Sequence, residues 1–279
     1  MSNNTRGYGT AAGGSAPEEE GARGAGAGEQ MPLLGKPASH SMLARFRSSM
    51  TVDVQRERAD IILVLCYFVT GLLDSASISI WGSFVSMQTG NTVYIGLGLA
   101  DPHESTRWIK SSVSLGCFCL GSFIFSRFHR YFSPKRRWVL CASFLAQMVL
   151  TIIAAAIVTF GPSVGKEEIS WNVLLPIALV AFQSCGQAVT SRALKYNSLT
   201  SVVLTSIYCD LFSDPNLFRL DNPERNRRLG APVMLLVGAV IGGLFAHSSF
   251  GIAGALWTAA VFKLLAIITW LVWPAESET

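Results

Sequence analysis

The chain reads Thr70-Gly71-Leu72-Leu73-Asp74 and then Ser86-Met87-Gln88-Thr89-Gly90-Asn91-Thr92, within and just after an apolar segment long enough to cross a bilayer. The two stretches carry a carboxylate, two amides, several hydroxyls and glycines. Because a polar group without a partner is costly in hydrocarbon, these side chains must face protein or a water-filled cavity. Polar clusters inside membrane segments are candidate functional sites, so we begin the search for a function here.

The composition predicts an all-α, polytopic membrane protein. Half of the 279 residues are apolar, only 14% are charged, and the mean hydropathy is +0.40. In soluble domains about a quarter of the residues are charged. The net charge of +4 is small, and the basic residues lie between apolar segments, so we expect no nucleic-acid partner. The expected partner is the lipid bilayer.

The hydropathy divides the chain into eight apolar segments. They run over residues 59–80, 84–101, 111–126, 138–160, 172–191, 198–212, 231–248 and 251–273. A full crossing needs about 20 residues. Two of the segments, 84–101 and 198–212, are short or polar, and we predict that they are short or re-entrant rather than full crossings.

Charge counting supports six full crossings over eight. The basic residues concentrate in four groups, at residues 45–58, 127–137, 192–195 and 219–228. With six crossings, all fifteen of these charges fall on one side, whereas eight crossings split the basic residues eleven against seven. Basic loops prefer the cytosol, so we expect six crossings with both termini cytosolic.

We divide the chain into a disordered tail at 1–58, a membrane domain at 59–274 and a short C-terminal tail at 275–279. The first tail is rich in glycine and poor in large apolar residues, so it cannot offset the chain entropy lost on folding. It contains an acidic residue, Glu29, before Leu33 and Leu34, which resembles a sorting signal read by an adaptor. The membrane would then be endosomal or vacuolar. The alternative to a sorting signal is an incidental leucine pair. The alternative location is the plasma membrane.

The membrane domain divides into halves at 59–160 and 172–273, each with a polar two-part segment followed by two plain helices. Three crossings per half is an odd number, so the halves would insert in opposite orientations. Gly116 and Gly121 in one half match Gly238 and Gly243 in the other at equal spacing. The pattern predicts an inverted 3+3 repeat, a construction found in many secondary transporters.

Two charged side chains fall near the middle of predicted crossings. Asp74 is one, and Lys263 is too far from either end of its segment to reach water easily. A carboxylate at this depth must be paired, hydrated or protonated. One interpretation is a proton or substrate site, and the other is a structural ion pair between Asp74 and Lys263.

Two patches of uncharged polar residues complete the candidate site. An unwound turn at 88–92 would expose backbone groups to a cavity, with Gly90 allowing a ligand to approach closely. Gln183 and Gln187 share one helix face. The alternative is that these groups only hold helices together. The predicted substrate-binding residues are Asp74, Gln88, Thr89, Gly90, Asn91, Gln183, Gln187, Thr200 and Lys263.

Several further motifs have a known counterpart. Gly71-x-x-Asp74, the run Gly82-Ser83-Phe84-Val85-Ser86-Met87-Gln88-Thr89-Gly90-Asn91-Thr92-Val93, Phe182-x-x-x-Gly186-Gln187 and Leu199-Thr200 resemble the YoaK family of uncharacterised multi-pass membrane proteins. The resemblance covers residues 60 to 273 and implies an integral membrane location without a mechanism. The second polar patch, at Leu199-Thr200, is a looser version of the family's threonine-rich pattern.

We expect no catalytic residue, no cofactor and no metal site, because hydrolase, metalloprotease and phosphate-loop motifs do not occur in the sequence. The leading hypothesis is a permease for a small solute, with proton coupling through Asp74 as its specific form. The second is a scaffold or sensor whose polar residues are structural. A homodimer formed through glycine-bearing faces stays an open alternative.

The six-crossing topology predicts the outcome of cysteine mapping in intact cells. A Lys135→Cys variant should resist a membrane-impermeant maleimide, whereas Lys166→Cys should react, because only the second position lies outside the cell or in the organelle lumen. Labelling of Lys135→Cys from that side would overturn the six-crossing topology and the inverted repeat together.

Overall fold

A computed structural model of the protein describes residues 42–57, 59–162, 165–196, 199, 201–219 and 221–276. This part of the chain folds into nine helices, with isolated β-bridges and no strands. The helices are α1 (Met42–Thr51), α2 (Asp60–Ile80), α3 (Gln88–Ala100), α4 (Arg107–Phe132), α5 (Arg137–Phe160), α6 (Trp171–Ala193), α7 (Thr205–Phe212), α8 (Pro223–Ala246) and α9 (Gly251–Val272).

Six helices are long and apolar enough to cross a membrane, which confirms the predicted count. They are α2, α4, α5, α6, α8 and α9, with 21 to 26 residues each. At about 1.5 Å per residue they are about 31–39 Å long, enough for a hydrocarbon core of about 30 Å. The predicted short segments are α3, with 13 residues, and α7, with 8, so neither is long enough to cross.

The predicted tail at 1–58 extends too far. Met42–Thr51 are helical, and Val54 is fully buried against the end of the membrane domain. The Arg137 guanidinium donates to the carbonyl of Ser49 at 2.9 Å, and Val54 forms a bridge with Ala275. These contacts supply backbone partners and apolar cover that composition alone does not reveal. Residues 1–41, including the predicted adaptor signal, lie outside the described residues.

The four basic groups meet at one end of the domain, as six crossings require. Arg227 on α8 forms an ion pair with Asp60 at the start of α2 at 2.7 Å. Arg56 donates to the carbonyl of Lys195, after α6, at 2.9 Å. Lys135 pairs with Glu276, after α9, at 2.9 Å. We call this the basic end, and its cytosolic location stays a prediction.

The opposite end is held by the connection between α5 and α6. The Glu167 carboxylate accepts hydrogen bonds from the backbone N–H of Thr106 at 3.1 Å and from its hydroxyl at 3.0 Å. The backbone hydrogen bond and then the hydroxyl lower the pKa of Glu167. Buried Lys110 donates to the carbonyl of Lys166 at 2.5 Å, which fixes the same connection to α4.

Glycines allow the closest helix pairs to form. A Cβ at Gly238 on α8 would lie 2.1 Å from the carbonyl oxygen of Phe68 on α2, and one at Gly121 on α4 would lie 2.5 Å from that of Phe182 on α6. Helix backbones therefore touch directly in the α2–α8 and α4–α6 pairs. The third extensive pair is α5–α9.

The glycine match proposed for the two halves needs a correction. Gly116 has no neighbour within 4 Å of its added Cβ, and Gly243 has only the Ser75 hydroxyl, at 3.5 Å. Gly121 and Gly238 are the two that face a phenylalanine carbonyl. Equal spacing paired the wrong glycines because spacing does not report which side of a helix meets a neighbour. The inverted repeat itself stays a prediction.

Gly238→Ala should lower the free energy of unfolding by about 1–3 kcal/mol or more, because the new methyl group overlaps the α2 backbone. Gly116→Ala is the matched control, since it adds the same methyl group to a spanning helix where no atom is near. It should be neutral or stabilise by up to about 1 kcal/mol. Thermal unfolding in detergent, followed by tryptophan fluorescence, measures both. Equal effects would contradict direct contact between the α2 and α8 backbones.

Candidate functional site

The polar stretch that opens the sequence forms a re-entrant connection. After α2, residues 81–87 leave the helix and turn back into the domain, and Gly82 has a φ of +77° that side chains rarely adopt. Asp74 Oδ1 accepts from the backbone N–H groups of Val85 at 2.8 Å and Ser86 at 2.9 Å, and Oδ2 accepts from the Ser86 hydroxyl. Asp74 lies about 9 Å inside the end of α2, so the unwound backbone reaches that depth.

Asn91, at the start of α3, provides hydrogen-bond partners for the backbone of Phe84 in the same connection. Its Oδ1 accepts from the backbone N–H of Phe84 at 3.1 Å, and its Nδ2 donates to the carbonyl of Phe84 at 2.8 Å. The same Nδ2 donates to Gln88 Oε1 at 2.9 Å and to Ser114 Oγ at 3.1 Å. Asn91 is completely buried.

Helices α4 and α6 add the remaining partners. Ser114 donates to the carbonyl of Phe84 at 2.8 Å, and Ser184 donates to that of Val85 at 3.0 Å. We call the side chains that hold residues 81–87 the loop cluster: Asp74, Ser77, Gln88, Asn91, Ser114 and Ser184. Four helices thus contribute to one unwound segment. This arrangement fits the helix-holding interpretation of Asn91, and it gives Asp74 a structural role different from the predicted ion pair.

Three predictions about this stretch need correction. The unwound part lies before Gln88, because 88–92 belong to helix α3. Thr89 is exposed on the outside of α3 and does not join the loop cluster. Gly90 is helical, and a Cβ there would lie 2.7 Å from the Phe84 ring. The space beside Gly90 is therefore occupied by Phe84, whereas the prediction gave it to a ligand.

A second polar group surrounds Lys263, about 18 Å from the start of α9. Its ammonium donates to Gln147 Oε1 on α5 at 2.5 Å and to Gln187 Oε1 on α6 at 2.8 Å, and it lies 5.4 Å from the centroid of the Phe144 ring. Gln187 Nε2 donates to the Thr70 hydroxyl on α2 at 3.3 Å. We call Thr70, Gln147, Gln187 and Lys263 the lysine layer.

The structure does not form the alternative ion pair between Asp74 and Lys263. Within the described ranges, every ion pair involves residues at the basic end, and Lys263 is only 1% exposed with neutral oxygens as its hydrogen-bond partners. The two charges instead lie in adjacent layers. Asp74 is one turn along α2 from Thr70, which belongs to the lysine layer.

Gln183 lies one turn along α6 from Gln187, on the side toward Asp74. It is completely buried, and neither its Nε2 nor its Oε1 has a hydrogen-bond partner among the described residues. A buried amide in this state has unused capacity for two kinds of hydrogen bond. Thr200, the remaining predicted member, lies outside the described residues.

The lysine layer continues toward the basic end as a chain of polar side chains. Gln147 Nε2 donates to Ser143 Oγ at 3.3 Å, and Ser143 Oγ lies 3.3 Å from His129 Nε2 on α4. The Thr190 hydroxyl on α6 lies 3.5 Å from the same nitrogen. His129 then borders a cavity of about 430 Å³ at the basic end. This series of hydrogen-bonded polar side chains therefore joins a surface cavity to buried Lys263.

Sequence reasoning missed Gln147 and the serines that complete both groups. Gln147 is an amide in the middle of an otherwise apolar segment, with Ser143 and Thr151 four residues to either side on the same helix face. That pattern is a usable signal for a buried polar site. Single serines such as Ser114 and Ser184 give no such signal, because they also occur as ordinary packing residues in membrane helices.

Fold and polar groups together define the class: a polytopic helical membrane protein with six spanning helices and a re-entrant connection. A family model described as "Protein of unknown function (DUF1275)" matches residues 62–269, so the chain belongs to that family. This match is compatible with the resemblance to an uncharacterised family of multi-pass membrane proteins. Searches of curated proteins and of solved structures gave no match.

Asp74→Ala should destabilise the protein strongly, because it leaves two buried N–H groups of the connection without an acceptor, at about 1–3 kcal/mol each. Asp74→Asn keeps an acceptor oxygen and should lose less. The measurement is thermal unfolding of both variants in detergent beside the wild type. An Asp74→Ala protein as stable as the wild type would contradict the supporting role of this carboxyl group.

Proposed function

We propose that the protein is a permease for a small solute, and that the lysine layer carries the solute-contacting charge. The observation that supports this proposal is Lys263. Its ammonium is buried near the middle of a spanning helix, and its hydrogen-bond partners in the described part of the chain are neutral amide oxygens.

Packing gives no reason to keep a charge at this position. Taking an ammonium out of water costs several kcal/mol, and replacing buried charged groups by apolar residues of similar volume is often neutral or stabilising. Charged residues in spanning segments usually mark a pathway for solutes, ions or protons. An anionic group of a solute would compensate the charge that the amide oxygens only solvate.

The surroundings of Lys263 support a pathway. On one side, Gln147, Ser143 and His129 lead to the cavity at the basic end. On the other side, at the level of Asp74, Gln183 presents an amide that has no hydrogen-bond partner among the described residues. The solute would thus meet polar groups in successive layers. The described conformation is closed around Lys263, as expected for an occluded state of a transporter.

The arrangement of helices agrees with an inverted repeat. In such a repeat α2 corresponds to α6 and α4 corresponds to α8, so the α2–α8 pair is the counterpart of the α6–α4 pair. Both pairs place a glycine against a phenylalanine carbonyl. The same correspondence relates the re-entrant connection before α3 to the part of the chain near the start of α7, where Leu199 and Ile207 belong to one buried apolar cluster with Leu63. Two re-entrant segments entering from opposite ends are typical of transporters with alternating access.

The second candidate function is a scaffold without transport, and the loop cluster favours it. Both Asp74 oxygens and the Asn91 amide are engaged by backbone groups or neighbouring side chains, so these residues have a sufficient structural role. A proton carrier must exchange its partners during the cycle. Asp74 is therefore a weaker candidate for the coupling residue than the sequence alone predicts.

Uptake into proteoliposomes under an imposed pH gradient tests the proposal, with labelled organic anions, amino acids and sugars as the panel. Lys263→Met should reduce gradient-dependent flux by about tenfold or more, which corresponds to ~1.4 kcal/mol. Lys110→Met is the matched control, since Lys110 is a second fully buried lysine whose ammonium donates to the Lys166 carbonyl, outside both polar groups. Its flux should stay near that of the wild type.

Two results would contradict transport through the lysine layer. One is equal loss of flux in Lys263→Met and Lys110→Met. The other is an absence of flux for every solute, together with a Lys263→Met protein that unfolds at a higher temperature than the wild type. The second result would establish Lys263 as a structural residue and leave the scaffold as the better interpretation.

A further inference from the structure

The cavity at the basic end of the domain has the features of an anion site. Its volume is about 430 Å³, and it lies between the C-terminal turns of α4 and α6. The charged or titratable side chains that line it are His129, Arg130 and Arg192. No carboxylate is among its lining residues in the described part of the chain.

Both guanidinium groups are available to a ligand. Arg130 and Arg192 are exposed, and neither forms a side-chain hydrogen bond or an ion pair with any described residue. They come from different helices and converge on one cavity. The C-terminal ends of α4 and α6 bring a partial negative charge of about half a unit each, which two full positive charges outweigh.

His129 supplies a second, independent indication of a ligand. It is 2% exposed, and its Nδ1 is buried without a hydrogen-bond partner in the described chain. Ser143 Oγ accepts a hydrogen bond from Gln147 Nε2, and its hydroxyl is free to donate a hydrogen bond to His129 Nε2, 3.3 Å away. In that tautomer Nδ1 carries the ring proton, so a histidine that lines the cavity with the two arginines holds a buried donor without a partner among the described residues.

We propose that this cavity binds a phosphate group, and that the group belongs to an anionic phospholipid. Guanidinium forks match phosphate oxygens in charge and geometry, and basic pockets between spanning helices recognise lipid headgroups. The proposal concerns a bound regulator or structural lipid and does not depend on transport.

The surface of α4 indicates a lipid as the source of the phosphate. Leu120, Phe123 and Ile124 are exposed and lie toward the membrane interior from the cavity. This apolar face would contact acyl chains while the headgroup occupies the cavity. Arg127 lies over the Phe123 ring, 5.0 Å from its centroid, at the boundary between the two surfaces.

Native mass spectrometry of the full chain in detergent tests the site, with phosphatidic acid, phosphatidylglycerol and phosphatidylcholine as probes. The variant is Arg130→Gln with Arg192→Gln. The matched control is Arg45→Gln with Arg47→Gln, which removes the same charge from exposed arginines of α1. We expect the wild type and the control to retain one anionic lipid that phosphatidylcholine does not replace. The cavity variant should bind about twenty-five-fold more weakly, since each arginine contributes on the order of fivefold.

Equal weakening in the two double variants would overturn the proposal, because it would reflect net charge rather than a built site. Retention of anionic lipid by the cavity variant would also overturn it. A competition arm identifies the source of the phosphate. Displacement by glycerol phosphate or inorganic phosphate at concentrations comparable to that of the lipid would support a phosphate site but contradict the lipid. If the soluble competitors do not displace the lipid and the cavity variant still loses it, the result supports both the cavity as the binding site and a lipid as the source of the phosphate group.

Discussion

The structure depends on satisfying an unwound backbone at membrane depth. Residues 81–87 leave the helical hydrogen-bond pattern after α2 and turn back to the level of Asp74, about 9 Å inside the end of that helix, where lipid offers no partners. Asp74 accepts two of the exposed N–H groups, and Asn91 pairs with both the N–H and the carbonyl of Phe84. Because four helices supply these partners, the re-entrant connection also fixes how α2, α3, α4 and α6 meet.

The two polar groups differ in how completely they are satisfied. In the loop cluster, each acceptor and donor described for Asp74 and Asn91 is used, as is expected of a buried network that specifies a fold. The lysine layer retains an ammonium held only by neutral oxygens, and next to it Gln183 has no partner in the described chain. Unused capacity of this kind supports the proposal of a solute contact in the lysine layer. For this reason the functional assignment moves from Asp74 to Lys263.

The proposed solute contact and the structural support are thus separated by one helical turn. Thr70 belongs to the lysine layer and Asp74 holds the connection, so a shift of α2 would act on both at once. Close backbone contact at Gly238 couples α2 to α8 in turn. The chain from Gln147 through His129 extends the same network to the basic end, where Arg130 and Arg192 border an accessible cavity.

The sequence by itself determined the membrane class, the six crossings and the depth of Asp74 and Lys263. These properties follow from hydropathy, segment length and the distribution of basic residues, which are local along the chain. Only the tertiary structure decided that Lys263 contacts Gln147 and Gln187, that Asp74 holds a backbone segment, and that Thr89 faces outward. Hydrogen-bond partners depend on which helix faces meet and on where the chain unwinds, and periodicity within one segment carries no information about either.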